Sequence, residues 1–204
     1  MKSSTITAAG IIFLSSLLSG CAMFRIATDD VTVDEMGHYR AAYDATDMRK
    51  ITESVVDEML ADPFLSHAQS PPVMMIAGVQ NRTAEYVDTK NLTDRMRTLL
   101  IKSGRVKFVN AFRRKELLKE QGYQAAHATV ETQVEVGRQL GAKYMLTGSL
   151  TQMSQETGRQ VRVSKTKMNY YKLTIEVNDL ESGLITWTTE VEFARKERMP
   201  LIGW

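Results

Sequence analysis

Two runs near the C-terminal end, Tyr171-Lys172-Leu173-Thr174-Ile175-Glu176-Val177 and Ile185-Thr186-Trp187-Thr188-Thr189-Glu190-Val191-Glu192-Phe193, carry the clearest structural signal in the chain. In the first, Tyr171, Leu173, Ile175 and Val177 share one face while Lys172, Thr174 and Glu176 take the other. In the second, Ile185, Trp187, Val191 and Phe193 stand opposite Thr186, Thr188, Glu190 and Glu192. Side chains alternate across a strand with a period of two, so each run reads as a strand with one buried face and one wet face. Glu181-Ser182-Gly183 between them supplies turn formers, and the pair is expected as an antiparallel hairpin at the end of a sheet.

Upstream the period changes. Met48, Ile51, Val55, Val56, Met59 and Leu60 recur at spacings of three and four, which predicts a helix from Thr46, capped by Thr46 or Asp47 and ended by Asp62-Pro63. After Pro71-Pro72, the continuous apolar run Val73 to Val79 predicts a strand covered on both faces. A second helix opens at Asp88 or Thr89, buries Leu92, Met96, Leu99 and Leu100 and stops at Gly104, and a brief strand follows over 106–109. Two further helices are expected at 112–121 and 129–140, then a strand over 143–152 and a polar loop through Glu156, Gly158 and Arg162. The order implies an α/β fold of the α+β kind, a mixed β-sheet flanked by helices, read as one layer of helices on one sheet.

The N-terminal end reads as an address. Met1-Lys2, the apolar run Ile11 to Leu18 and the small residues Ser19-Gly20 before Cys21 are the parts of a secretory signal. The run is too short to span a bilayer, which takes about 20 apolar residues. Leu18-Ser19-Gly20-Cys21 has the form of a bacterial lipobox, whose thiol is acylated and becomes the new N-terminus. The competing reading, an ordinary signal peptide with a chance cysteine, accounts less well for the tetrapeptide and its distance from Met1. The expected division is therefore a signal peptide over 1–20, a lipidated N-terminus and short tether over 21–45, and a globular domain over 46–204. By resemblance to lipoprotein sorting in diderm bacteria, Ala22 in place of the aspartate that retains lipoproteins at the inner membrane implies the outer membrane, facing the periplasm. Several acyl chains anchor stably where one holds only marginally. The tether lacks all four prolines and, as a coil of 24 residues, would span about 80–85 Å fully drawn out.

Composition narrows the function. With 26 Lys+Arg against 24 Asp+Glu, the chain lacks the basic excess of a nucleic-acid binder, and processing removes Lys2 alone among its charges, so +2 becomes +1. The single cysteine excludes an internal disulfide and a thiolate zinc site. His38, His67 and His127 lie in polar stretches without the spacing of a metal site or a nucleophile–base pair, and no glycine run forms a phosphate cradle. The expectation is a protein without catalytic residues, cofactor, metal or small-molecule substrate.

Exposed polar features remain. Asn81-Arg82-Thr83 follows the first apolar strand at the sheet rim, where ligands of α/β sheets often bind, and reads either as an interaction site or as a turn. Arg159 and Arg162, with Lys165 and Lys167 against Glu156, form a basic loop that could meet an acidic partner or simply be a solvated rim. Arg113-Arg114-Lys115 invites the same two readings, with ordinary helix surface favoured.

Together, the lipobox at Cys21, Val56-Asp57-Glu58-Met59-Leu60, the strand into Asn81-Arg82-Thr83, Gly141-Ala142-Lys143-Tyr144-Met145-Leu146 and Gly183-Leu184-Ile185-Thr186-Trp187 resemble the LpoB-type penicillin-binding protein activator lipoproteins, over roughly residues 44–193. The resemblance implies a fold like the N-terminal domain of TolB, and an outer-membrane lipoprotein that stimulates a class A penicillin-binding protein by docking on a small non-catalytic domain of it. The best-known form of that family has a long proline-rich tether. The short one here implies either a partner that projects toward the anchor or a different partner, such as another outer-membrane envelope complex that the protein helps to assemble.

Overall fold

The computed structural model describes residue 38 and residues 40–120, 129–157 and 164–200. Helix α1 (Ala45–Ala61) starts at Asp44, whose carboxylate accepts the Asp47 N–H while Asp47 accepts the Asp44 N–H in return. This reciprocal capping box explains why the cap is Asp44 and not Thr46 or Asp47: Asp47 serves as its third-residue partner. Asp62 closes α1 and caps the four-residue helix α2 (Pro63–Ser66), where proline occupies a first-turn position that needs no N–H. There follow β1 (Val73–Arg82), α3 (Thr89–Lys102), the two-residue β2 (Lys107–Phe108), α4 (Ala111–Glu120), α5 (Val130–Gln139), β3 (Tyr144–Thr157), β4 (Ser164–Asp179) and β5 (Ile185–Pro200).

The five strands form one sheet in the order β2-β1-β3-β4-β5. β1 runs parallel to β2 and β3, and β3, β4 and β5 form an antiparallel meander. The fold is therefore α+β with a mixed sheet, and the C-terminal hairpin forms as its alternation predicts, turning at Gly183 with φ +73°. Its buried face holds Tyr171, Leu173, Ile175, Val177 and Trp187. Ile185 is exposed instead, beside a register shift at Val177/Asn178.

The main core joins Ile51, Val55 and Met59 of α1 and Leu92, Met96 and Leu100 of α3 to Met74, Leu146, Leu150 and the hairpin face. Adjacent strand residues point to opposite faces, so Met75 and Met145 point away from this core. They form a second cluster with Ala142 and Leu180, packed against Val134 of α5. Helices thus flank both faces of the β1–β3 region, which corrects the expectation of a single helical layer. Gly137 of α5 lies against the Met75 thioether, and Gly148 of β3 lies against the Thr174 carbonyl of β4. The strands also run beyond their apolar runs, β3 to Thr157 and β4 back to Ser164, where most of the residues are polar.

Candidate docking rim

The parallel pairing of β1 and β3 brings Arg82 beside Thr151 at one end of the sheet. The loop that leaves β1 there is held from within. Asn81 Oδ1 accepts the Thr83 N–H at 2.9 Å and the Thr83 hydroxyl at 2.7 Å, and Asn81 Nδ2 donates to the Glu85 carbonyl at 2.9 Å. Of the predicted triplet, Asn81 and Thr83 thus build the turn, as short polar side chains readily do. Arg82 is exposed, with Nε and Nη2 donating to Gln80 Oε1 at 3.2 and 2.9 Å.

Glu85 anchors the loop to the sheet. Its carboxylate accepts the Tyr171 hydroxyl at 2.9 Å, Gln152 Nε2 at 2.9 Å and Asn169 Nδ2 at 3.3 Å, and Gln152 Oε1 in turn accepts the Ala84 N–H at 3.0 Å. Tyr171 and Asn169 are fully buried. Burial, and then the hydrogen bond to Glu85, push the Tyr171 hydroxyl above its ordinary pKa, so it remains a donor. The loop so fixed presents Tyr86, 98% exposed, four residues from Arg82. Tyrosine and arginine are the residue types enriched where binding energy concentrates. The sequence reading missed Tyr86, because nothing in its local pattern separates an exposed tyrosine from a buried one.

The same end of the sheet receives the N-terminal segment. The Ala41 N–H donates to Glu197 Oε2 at 3.1 Å, the Ala41 carbonyl accepts Asn169 Nδ2 at 2.9 Å, and the Tyr43 N–H donates to Glu85 Oε2 at 3.1 Å. One carboxylate therefore ties together the rim loop, β3, β4 and the segment that leads into α1.

Arg159, Arg162 and Cys21 lie outside the described residues. From Thr151, the neighbour of Arg82, β3 continues to Thr157 over roughly 20 Å of extended strand. Lys165 at the start of β4 is ion-paired with Glu156, and that hydrogen bond holds the Glu156 carboxyl below its ordinary pKa.

His38, Asp44 and Asp47 place ligand-type atoms within 4.8 Å of one another. Both carboxylates are already engaged, Asp44 by the cap and His38 Nδ1 at 2.5 Å, and Asp47 by the cap and Arg195 of β5. The cluster is a helix start tied to the sheet. No described helix is long and apolar enough to cross a membrane.

A family model described as peptidoglycan-synthase activator LpoB matches residues 47–193. Among solved structures, the LpoB C-terminal domain from Salmonella enterica aligns with a TM-score of 0.55 at 17% identity, over 72% of this chain and 98% of that one. The LpoB C-terminal domain from Escherichia coli aligns equally well, with a TM-score of 0.55 at 19% identity over the same shares. At these identities the structural likeness establishes the fold. No curated protein sequence matches the chain.

Proposed function

As the chain belongs to the LpoB family of peptidoglycan-synthase activators, we propose that it activates its synthase by docking on a class A penicillin-binding protein through the β1–α3 rim. The observation that carries this reading is the fixed loop from Asn81 to Asp88. A surface pre-organised by buried partners binds without first being ordered, and Arg82 and Tyr86 are presented on such a surface. Arg159 and Arg162, between β3 and β4 in the chain, add basic charge that would speed encounter with an acidic partner. Docking then shifts the synthase toward its active conformation by no more than the difference in affinity for its two states.

In this reading residues 1–20 are removed, and acylated Cys21 holds the mature protein on the outer membrane, facing the periplasm. Because His38 and Ala41 are bound to the domain, the chain between Cys21 and His38 can reach no more than about 55–60 Å even if fully drawn out. That reach suits a partner that projects toward the anchor.

The test is capture of solubilised envelope proteins on the immobilised mature chain with Cys21→Ser, followed by synthase assays with and without the chain. Retention of a class A penicillin-binding protein and faster glycan polymerisation are expected. Retention of outer-membrane components alone would refute the reading and favour a role in assembling another envelope complex. Acyl labelling of the wild type and not of Cys21→Ser is expected from cells; labelling that persists in the variant would refute the anchor.

A further inference from the structure

β5 is an edge strand of sixteen residues, with β4 on one side and no strand on the other among the described residues. A groove of about 370 Å³ runs along this edge, walled by Lys50, Ile51 and Ser54 of α1 and floored by Phe193 and Ala194. Open edges carry unpaired backbone donors and acceptors and are routinely protected by charge. The charges on β5 are sorted by sign. On its wet face Glu190 and Glu192 precede Ala194, and Lys196 and Arg198 follow it, all exposed. Charge placed only to keep other strands away has no reason to segregate in this manner.

We infer that β5 is a homodimer interface, pairing antiparallel with β5 of a second copy about a two-fold axis at Ala194. Turning the strand end over end about Ala194 sets Glu192 opposite Lys196 and Glu190 opposite Arg198 of the other copy, and each match occurs twice. The small side chain of Ala194 falls on the axis, where a long one would meet itself. On the other face Phe193 comes opposite Arg195, a pairing that already exists within one chain, where the guanidinium lies 5.8 Å from the ring centroid. Isologous contacts of this kind are self-complementary by symmetry.

The in-chain partners are consistent with this. Glu190 accepts Lys172 Nζ and the Thr174 hydroxyl and Glu192 the Tyr170 hydroxyl, all from β4, whereas Lys196 and Arg198 lie beside Met168 and Thr166 and have no carboxylate partner among the described residues. The inward-facing charges are used within the chain, Arg195 by Asp47 and Glu197 by the Ala41 N–H. The two cations left over are the ones that a second copy's glutamates would meet.

The experiment uses the mature chain carrying Cys21→Ser, which has no other cysteine. Sedimentation velocity should show a concentration-dependent dimer, and Lys196→Glu combined with Arg198→Glu should weaken it at least tenfold while circular dichroism stays unchanged. Reversal of the exposed Arg113 on α4 should leave dimerisation as it was. Ala194→Cys in the same background should give a disulfide-linked dimer on mild oxidation, because directly opposed residues of an antiparallel pair lie at Cα separations that a disulfide spans. A chain that stays monomeric and fails to cross-link, or a dimer indifferent to the Lys196/Arg198 reversal, would overturn the inference.

Discussion

The Tyr171 hydroxyl donates to the Glu85 carboxylate at 2.9 Å, joining the centre of β4 to the loop after β1 across 86 residues of sequence. A buried strand thereby determines the shape of a surface loop. Tyr171→Phe keeps the ring, its stacking on Phe193 and its burial, and removes one donor. It is expected to cost about 1–2 kcal/mol in denaturant unfolding, and to raise amide exchange over residues 83–88 more than in the hairpin.

Arg82 and Asn81 are adjacent but should behave differently. Arg82→Ala and Tyr86→Ala are each expected to weaken synthase binding about tenfold with the melting temperature unchanged, since both side chains are exposed. Asn81→Ala is expected to lower both affinity and melting temperature, because it releases the turn that shapes the loop. Calorimetric titration against the synthase, with thermal unfolding of the same samples, separates the two outcomes.

Glycine substitutions probe two close approaches. A Cβ at Gly148 would lie 2.5 Å from the Thr174 carbonyl oxygen and 2.7 Å from Ile175 Cδ1, in the middle of a paired sheet where the backbone cannot retreat. Gly148→Ala is expected to destabilise by about 3 kcal/mol. At Gly137 the obstacle is the flexible Met75 side chain, and a helix gains about 1 kcal/mol on replacing glycine by alanine. Gly137→Ala should therefore cost much less, and equal losses in urea unfolding would contradict the two geometries.

Acid should loosen the start of α1. Burial works to raise the Asp44 carboxyl, but hydrogen bonds from His38 and the Asp47 N–H, with the charges of His38 and Arg195, bring it below its ordinary value. A depressed carboxylate pKa gives stability that is complete above the unfolded value, about 4, and is lost as pH falls through the folded value. Asp44→Asn keeps a good cap, so its stability should fall less steeply below pH 4 than that of the wild type. Parallel slopes in denaturant unfolding between pH 3 and 7 would show that Asp44 carries none of this dependence.

Where local pattern decides structure, the sequence was sufficient. The alternation from Tyr171 to Val177 places Leu173 and Ile175 inside whatever lies above them, and the spacing of Ile51, Val55 and Met59 does the same for α1. Asp62-Pro63 and Gly104 end their helices through backbone constraints of their own. The strand ends Ser154–Thr157 and Ser164–Lys167 are less legible, because stretches with no apolar residue have no apolar period to reveal them.

What belongs to this sequence alone, then, is its list of elements, the hairpin and the family. The tertiary structure decided which polar residues act. Asn81 and Arg82 look equally available in the chain, yet one builds the loop and the other is displayed by it. Glu85 and Asn169 read as surface residues until folding brings Ala41, Tyr43, Gln152 and Tyr171 around them. Hydrophobic periodicity is a property of neighbours along the chain and survives in one dimension. A hydrogen bond between residues 86 or 128 positions apart is a property of the packed sheet, and no local pattern encodes it.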